Sequence, residues 1–276
     1  MKHKSRGRVA GLLAILISLV IFVVPFAFIV LTASKTAGDA SSLNLSWPHE
    51  FRFVQNFEAV IKSNDYILII AFINSTILTV VSVTGIVMFG ALVAFVLQRR
   101  KDKLSAFVNF LVLAGLIIPP AVVPTIWALQ KVHLFGTMTG LILVEVAFGL
   151  PFSVLLFRAF IGNIPRELDE AAFIDGARPL GVFFRVILPL LRPVMMTVII
   201  FQTVTIFNDF QNPLYFLPGE QNATVQLTIF NFQSQFVSSY NLMFMDILLI
   251  TIPPLIAFMF FNRQIVAGVT SGAVKG

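Results

Sequence analysis

The chain has 276 residues, of which 58% are hydrophobic and only 12% charged, and its mean hydropathy is +0.93. Soluble domains carry about 25% charged residues, so the composition excludes an ordinary cytosolic protein; at roughly 20 apolar residues per spanning helix, the length holds about six spans and leaves no room for a separate soluble catalytic domain. The formal charge of +6 comes from basic residues clustered at span ends, which argues against a nucleic-acid partner, and the absence of Cys excludes disulfides and thiolate chemistry.

An ionised side chain at the bilayer centre is costly, so charge-free runs locate the spans. The chain opens with a basic tail, 1–8, holding Lys2, Lys4, Arg6 and Arg8, and continues into an apolar run over 9–34. A basic start before an apolar run also suits a signal peptide. This run is too long for a typical signal core, however, and Leu31, Thr32 and Ala33 make a poor cleavage site, so a retained span is expected. Runs over 66–98 and 104–130 are also free of charge. The second of these holds Pro119, Pro120 and Pro124, which predict a kinked or broken helix. Three later apolar runs carry one acid each: 139–157 with Glu145, 193–216 with Asp209, and 242–261 with Asp246. The reading is an all-α integral membrane protein with six transmembrane helices.

Of the Lys and Arg residues, only Lys35, Arg52, Lys62 and Lys131 fall in the loops after the first and third spans. The rest lie in the N-terminal tail, around Arg99 to Lys103, between spans four and five, or near the C-terminus. By the positive-inside rule both termini are cytoplasmic. The three His residues, His3, His49 and His133, form no His-x-x-x-His pair, and no metal site is expected.

The cytoplasmic segment 163–192 between spans four and five reads as two short helices meeting at a turn. Asn163 is placed to cap the first, Pro165 to occupy its first turn, and Glu167, Asp169 and Glu170 to complement the helix dipole. Gly176 supplies a left-handed residue that ends it, and Pro179 starts the second. Ala171 and Ala172 give a face with almost no side chain, open to close approach by another protein. On composition alone an amphipathic loop lying on the membrane fits as well.

The exact string narrows that choice. Glu170-Ala171-Ala172-x-x-Asp175-Gly176-Ala177, then Phe184, then Leu188-Pro189-Leu190-x-x-Pro193, resembles the E-A-A signature of permease subunits of binding-protein-dependent ABC importers. Phe72 to Thr76, Phe207-Asn208-Asp209 and Arg263 to Gly268 resemble the sugar-uptake branch, the maltose-type carbohydrate permeases. The resemblance implies that the E-A-A segment is a coupling helix seated in a cleft of a cytoplasmic ATPase, with the family's Glu and Gly at Glu170 and Gly176. It implies as partners a second permease, two ATP-binding subunits that hold ATP and Mg, an extracytoplasmic solute-binding protein and a sugar. No cofactor is expected on this chain. It also implies that the outward loop 211–241, which lacks Lys and Arg, projects into the binding protein. The 30 Phe residues depart from the pattern and make the sugar harder to assign by similarity.

Nucleotide chemistry is not legible in the chain itself. The run from Gly268 to Gly276 lacks the phosphate-loop spacing and reads as a tail, and no Ser-His-Asp or paired-carboxylate arrangement occurs. Polar residues inside spans are the other place to look for function, because lipid drives them toward other helices or an aqueous path. Asn74, Ser75, Thr76 and Thr79 lie in span two, and Gln202, Thr203, Thr205 and Asn208 in span five. Gln202, Thr205 and Asn208 follow one another at steps of three, which predicts one face, and with Asn74 they are the candidate sugar pathway. Interhelical hydrogen bonding explains any one of them equally well. Glu145 reads as a structural partner more readily than as a pathway residue.

The chain is therefore expected to be a non-enzymatic permease subunit of the bacterial or archaeal inner membrane. It would form half of the path of an ATP-driven sugar importer and couple ATPase closure to alternating access. An ion-coupled secondary carrier, or a membrane assembly protein without transport, is the alternative. The carrier would show inverted repeats and mid-membrane charges, of which only Glu145 is evident.

Overall fold

Each long apolar run of the sequence forms helix, and no β-strand occurs among the described residues. The computed structural model describes residues 2–233 and 239–273. The side chains of the basic N-terminal tail and of the Arg263 to Gly268 motif lie outside the described residues, as does the end of the C-terminal tail. The chain divides into two compact units, Met1–Ile70 with Val225–Pro253, and Ala71–Thr224 with Pro254–Gly276.

The first unit contains α1 (Lys2–Ala33), the single turn α2 (Ala37–Ala40), the amphipathic α3 (Phe53–Lys62), a 3-10 stretch over Val225–Phe232 and the start of the last helix. Buried polar side chains hold its loops. Asn56 donates to Ala33 O at 2.8 Å and to Lys35 O at 2.9 Å, and Asn241 donates to Asn56 Oδ1 at 2.9 Å. Lys35 is fully buried and gives its ammonium to Asn44 O and Asn44 Oδ1 at 2.8 and 2.9 Å. Lysine is rarely buried without a partner, and here two carbonyl-type oxygens replace water.

The second unit is built on α4 (Ile67–Arg99), an unbroken helix of 33 residues. It continues through α5 (Lys103–Ile117), α6 (Val122–Lys131) and α7 (Met138–Ile161). The run 104–130 is thus two helices, divided where Pro119 and Pro120 remove consecutive backbone donors. Then come α8 (Glu167–Ile174), α9 (Pro179–Val182), a π-helical stretch over Phe183–Ile187, α10 (Leu188–Leu190), α11 (Arg192–Phe207) and α12 (Gln211–Phe216), with α13 (Tyr240–Ala273) at the end of the chain. The wide π turn directly precedes Pro189, which lacks an N–H and crowds the carbonyl four residues back; Leu188 N–H reaches back to Phe183 O instead. The axis then bends by 78° between Pro179–Leu190 and Arg192–Phe207.

The run 193–216 is not one helix. It stops at Phe207, and Asp209 sits in the break, where its Oδ1 accepts the N–H groups of Gln211 at 2.8 Å and Asn212 at 3.3 Å. The acid therefore caps the start of α12 and lies beyond the end of α11. Among the described residues Ile67–Arg99, Met138–Ile161 and Tyr240–Phe260 are each long and apolar enough to cross a membrane, and the bent pair makes a fourth crossing if it counts as one span. Ile17–Ala33 and Lys103–Ile117 are shorter apolar helices.

The core of this unit joins Leu78, Ile86 and Ala94 of α4 to Leu141, Val154 and Phe157 of α7 and to Val182, Phe183 and Val198 of the bent pair. Small residues let these helices approach closely. A Cβ on Gly115 would lie 2.8 Å from the ring of Pro151, and one on Gly149 would lie 2.5 Å from Ile86 Cδ1. Large apolar side chains such as Ile73, Ile77, Val80 and Phe89 of α4 point outward, as lipid or another apolar helix requires.

Candidate coupling segment and pathway residues

Helix α8 carries the E-A-A residues. It begins at Glu167, later than Asn163 and Pro165 suggest, because Asn163 turns back to finish α7 by donating to Ala159 O at 3.0 Å. Glu167, Asp169 and Glu170 occupy the first turn, where the dipole favours acid. At the other end Gly176 adopts φ +82°, Gly176 N–H donates to Phe173 O and Ala177 N–H donates to Ala172 O. These paired bonds form a Schellman turn, so the expected left-handed glycine ends the helix. Glu170, Ala171, Asp175 and Gly176 are exposed, while Ala172 and Ala177 are partly covered. Ile174 is 86% exposed beside Phe173, and Leu180 adds a further exposed apolar side chain just past the turn.

What fixes this segment to the membrane helices is a pair that the sequence reading passed over. Arg99, the last residue of α4, places Nε 2.5 Å from Asp169 Oδ2 and donates from Nη2 to Ile164 O at 3.2 Å. Their side chains are 13% and 8% exposed. Exposed ion pairs contribute about 0–1 kcal/mol, whereas removing one partner of a buried pair costs about 3–5 kcal/mol, so this contact belongs among the structural ones. In the sequence Arg99 carries only a topology signal, since its partner lies on another helix in a segment whose other acids are exposed.

The candidate pathway residues separate. Gln202 is buried and its amide donates to Ser153 Oγ at 3.1 Å and to Gly149 O at 3.2 Å, tying α11 to α7. Thr205 and Asn208 are exposed and bond back to Phe201 O and Val204 O. The three therefore differ in cover, Gln202 being held against α7 while Thr205 and Asn208 are exposed. Asn74 is half-buried and donates to Ala223 O at 3.1 Å and Gln221 O at 3.4 Å, holding the loop after α12. Thr79, Thr84 and Thr203 line a cleft of about 390 Å³ with Val83, Met195 and Ile199. The hydroxyl of Thr79 is buried without a hydrogen-bond partner among the described residues. Glu145 is buried and accepts from Asn212 Nδ2 at 3.1 Å. No cluster of three or more metal-ligating side chains occurs among the described residues.

The binding-protein-dependent transport system inner membrane component family matches residues 86–271. The melibiose/raffinose/stachyose import permease protein MelC of Bacillus subtilis is 33% identical over 272 residues, covering 98% of this chain and 97% of that protein. The probable starch degradation products transport system permease protein AmyC of Thermoanaerobacterium thermosulfurigenes is 31% identical and covers 95% of each chain. In fold, the chain is similar to a solved bacterial ABC transporter involved in import of the acidic polysaccharide alginate. There the TM-score is 0.81 at 16% identity, with 95% of this chain and 97% of that one covered. This chain belongs to the family of inner membrane permease components of binding-protein-dependent ABC transport systems, whose members are transport subunits and not enzymes.

Proposed function

We propose that this chain is half of the translocation path of an ATP-driven sugar importer and passes ATPase closure to the membrane helices through the segment around α8. The observation that carries the reading is the exposed ledge of Glu170, Ala171, Phe173 and Ile174, closed by the Gly176 turn and anchored to α4 through Asp169 and Arg99. A solvated loop would have no reason to expose Ile174 and Phe173 while burying its ion pair; a docking lever would. The relatives are import permeases for oligosaccharides and starch degradation products, which supports a sugar as the cargo.

In this reading the six spans are α1, α4, α5 with α6, α7, the bent α9 to α11, and α13, with both termini in the cytoplasm. The partners are a second permease, two ATP-binding subunits that hold ATP and Mg, and an extracytoplasmic binding protein that meets the loop 211–241. Thr205 and Asn208 with the threonine cleft face the sugar. Gln202 and Asn74 position the helix and loop that carry them. Neutral hydroxyls and amides suit a polyhydroxylated cargo, since each offers both a donor and an acceptor.

The test is uptake of radiolabelled oligosaccharide by vesicles holding the whole complex, with and without internal ATP. The expected result is uptake only with ATP, lost in Glu170→Lys while the binding protein still docks. Uptake driven by an ion gradient without ATP would overturn the reading.

A further inference from the structure

A cleft of about 480 Å³ opens where α4 ends, α5 begins and α7 ends, lined among others by Gln98, Arg100, Lys101, Asn109, Arg158 and Arg166. Four cations meet one carboxylate there, that of Asp102, which attracts Arg100 but is bonded chiefly to the start of α5. Asp102 caps α5 by accepting Ser105 N–H at 2.7 Å, a bond that holds its carboxyl below the usual carboxylate range. Among the described residues no carboxylate lies within ion-pair distance of Arg100, Lys101, Arg158 or Arg166. The contrast with Arg99, adjacent in sequence and neutralised by Asp169, is sharp.

The cleft is organised without being neutralised. Arg158 donates from Nη1 to Asn109 Oδ1 and from Nε to Gln98 Oε1 at 3.3 Å, and Arg166 donates to Gln98 O at 3.3 Å. Neutral amide oxygens thus aim two guanidinium groups and leave their charge uncompensated. Guanidinium groups with donors to spare are what an anionic oxygen cluster such as phosphate binds. Beside the cleft, α5 turns Leu104, Phe107 and Leu111 outward at spacings of three and four, each at least half exposed. A soluble anion has no use for that stripe, whereas a phospholipid has both a phosphate and acyl chains.

We propose that this cleft binds the phosphate of an anionic phospholipid headgroup, with the acyl chains lying along the outer face of α5. Basic pockets between membrane helices are a known form of such recognition. The site depends on α4 and α7 crossing the membrane and not on which cargo is moved.

The experiment uses the purified whole complex and measures retention of phosphatidylglycerol against phosphatidylcholine, from equimolar mixed micelles, by native mass spectrometry. Wild type should retain phosphatidylglycerol preferentially. Since each cation near an anionic headgroup contributes roughly a fivefold factor, Arg100→Gln with Lys101→Gln should lower the affinity roughly 30-fold. Both side chains are exposed, so the fold should persist, and a melting curve on the same sample checks it. Arg158→Gln gives an independent second reading in the same direction. The control pair Arg185→Gln with Arg192→Gln, exposed but outside the cleft, should leave retention unchanged. Equal retention by wild type and the cleft variants would overturn the proposal, as would equal loss in the control pair, which signals general surface attraction. Millimolar inorganic phosphate should not displace the lipid; full displacement would reassign the cleft to a soluble phosphate compound and overturn the lipid assignment.

Discussion

At residue 176 the backbone requires a positive φ and nothing lies within 4 Å of where a Cβ would stand, so any cost of substitution there is conformational and not steric. A left-handed non-glycine residue costs roughly 1–2 kcal/mol, more for a β-branched side chain. Gly176→Val should therefore distort the turn and sharply reduce sugar-stimulated ATP hydrolysis by the reconstituted complex. Gly176→Asn, which tolerates this region, should retain most of it; equal activity in the two variants would show that the turn is not needed. Asp169→Ala leaves Arg99 buried without its carboxylate and should lower stability by about 3 kcal/mol, read as a drop in melting temperature of the purified complex. An unchanged melting curve would place that pair among surface contacts. Gly176 was legible in the sequence because glycine between an acid-rich turn and a proline has few other uses. Asp169 was not, because its exposed neighbours Glu167 and Glu170 carry the same dipole signal and only the fold chooses which acid turns inward.

Elements show the same division. Charge-free runs located the helices, and Pro119 and Pro120 marked a break that the chain makes between α5 and α6. The end of α11 was hidden, since Asp209 inside an apolar run looks like a buried charge until its bonds to Gln211 and Asn212 reveal a cap. Seams between helices cannot be read from one strand of sequence at all. Gly115 meets the ring of Pro151, a group that cannot rotate away, so Gly115→Ala should separate α5 from α7 and cost about 1–3 kcal/mol. Thermal unfolding of the purified complex measures it, and a neutral result would mean that α5 shifts freely against its neighbour. The cover of the Gln202 row was hidden for a related reason: spacing by three sets angular proximity, but helix rotation against α7 decides which member is buried.

For the whole molecule, the charge asymmetry makes a topology prediction. A reporter fused after Gly276 should be cytoplasmic and one inserted near Glu220 extracytoplasmic, as read by paired phosphatase and fluorescent fusions. The same side for both would make the count of six spans wrong by an odd number. Composition alone reached the membrane class, and the E-A-A string reached the family, because both signals are local in sequence.

Helix α4 has one more consequence. Asn74 grips the loop at Gln221 and Ala223 near one end, Arg99 grips Asp169 at the other, and no proline or break lies between them. At 1.5 Å per residue the two grips stand about 37 Å apart. A stiff strut of that length pivoting by 5° about its middle would carry its tips about 1.6 Å in opposite directions, with no delay beyond that of the tilt itself. In such an arrangement a displacement at the Asp169 grip would be felt at the Asn74 grip through the tilt of a single rigid body, with no intermediate contact to relay it.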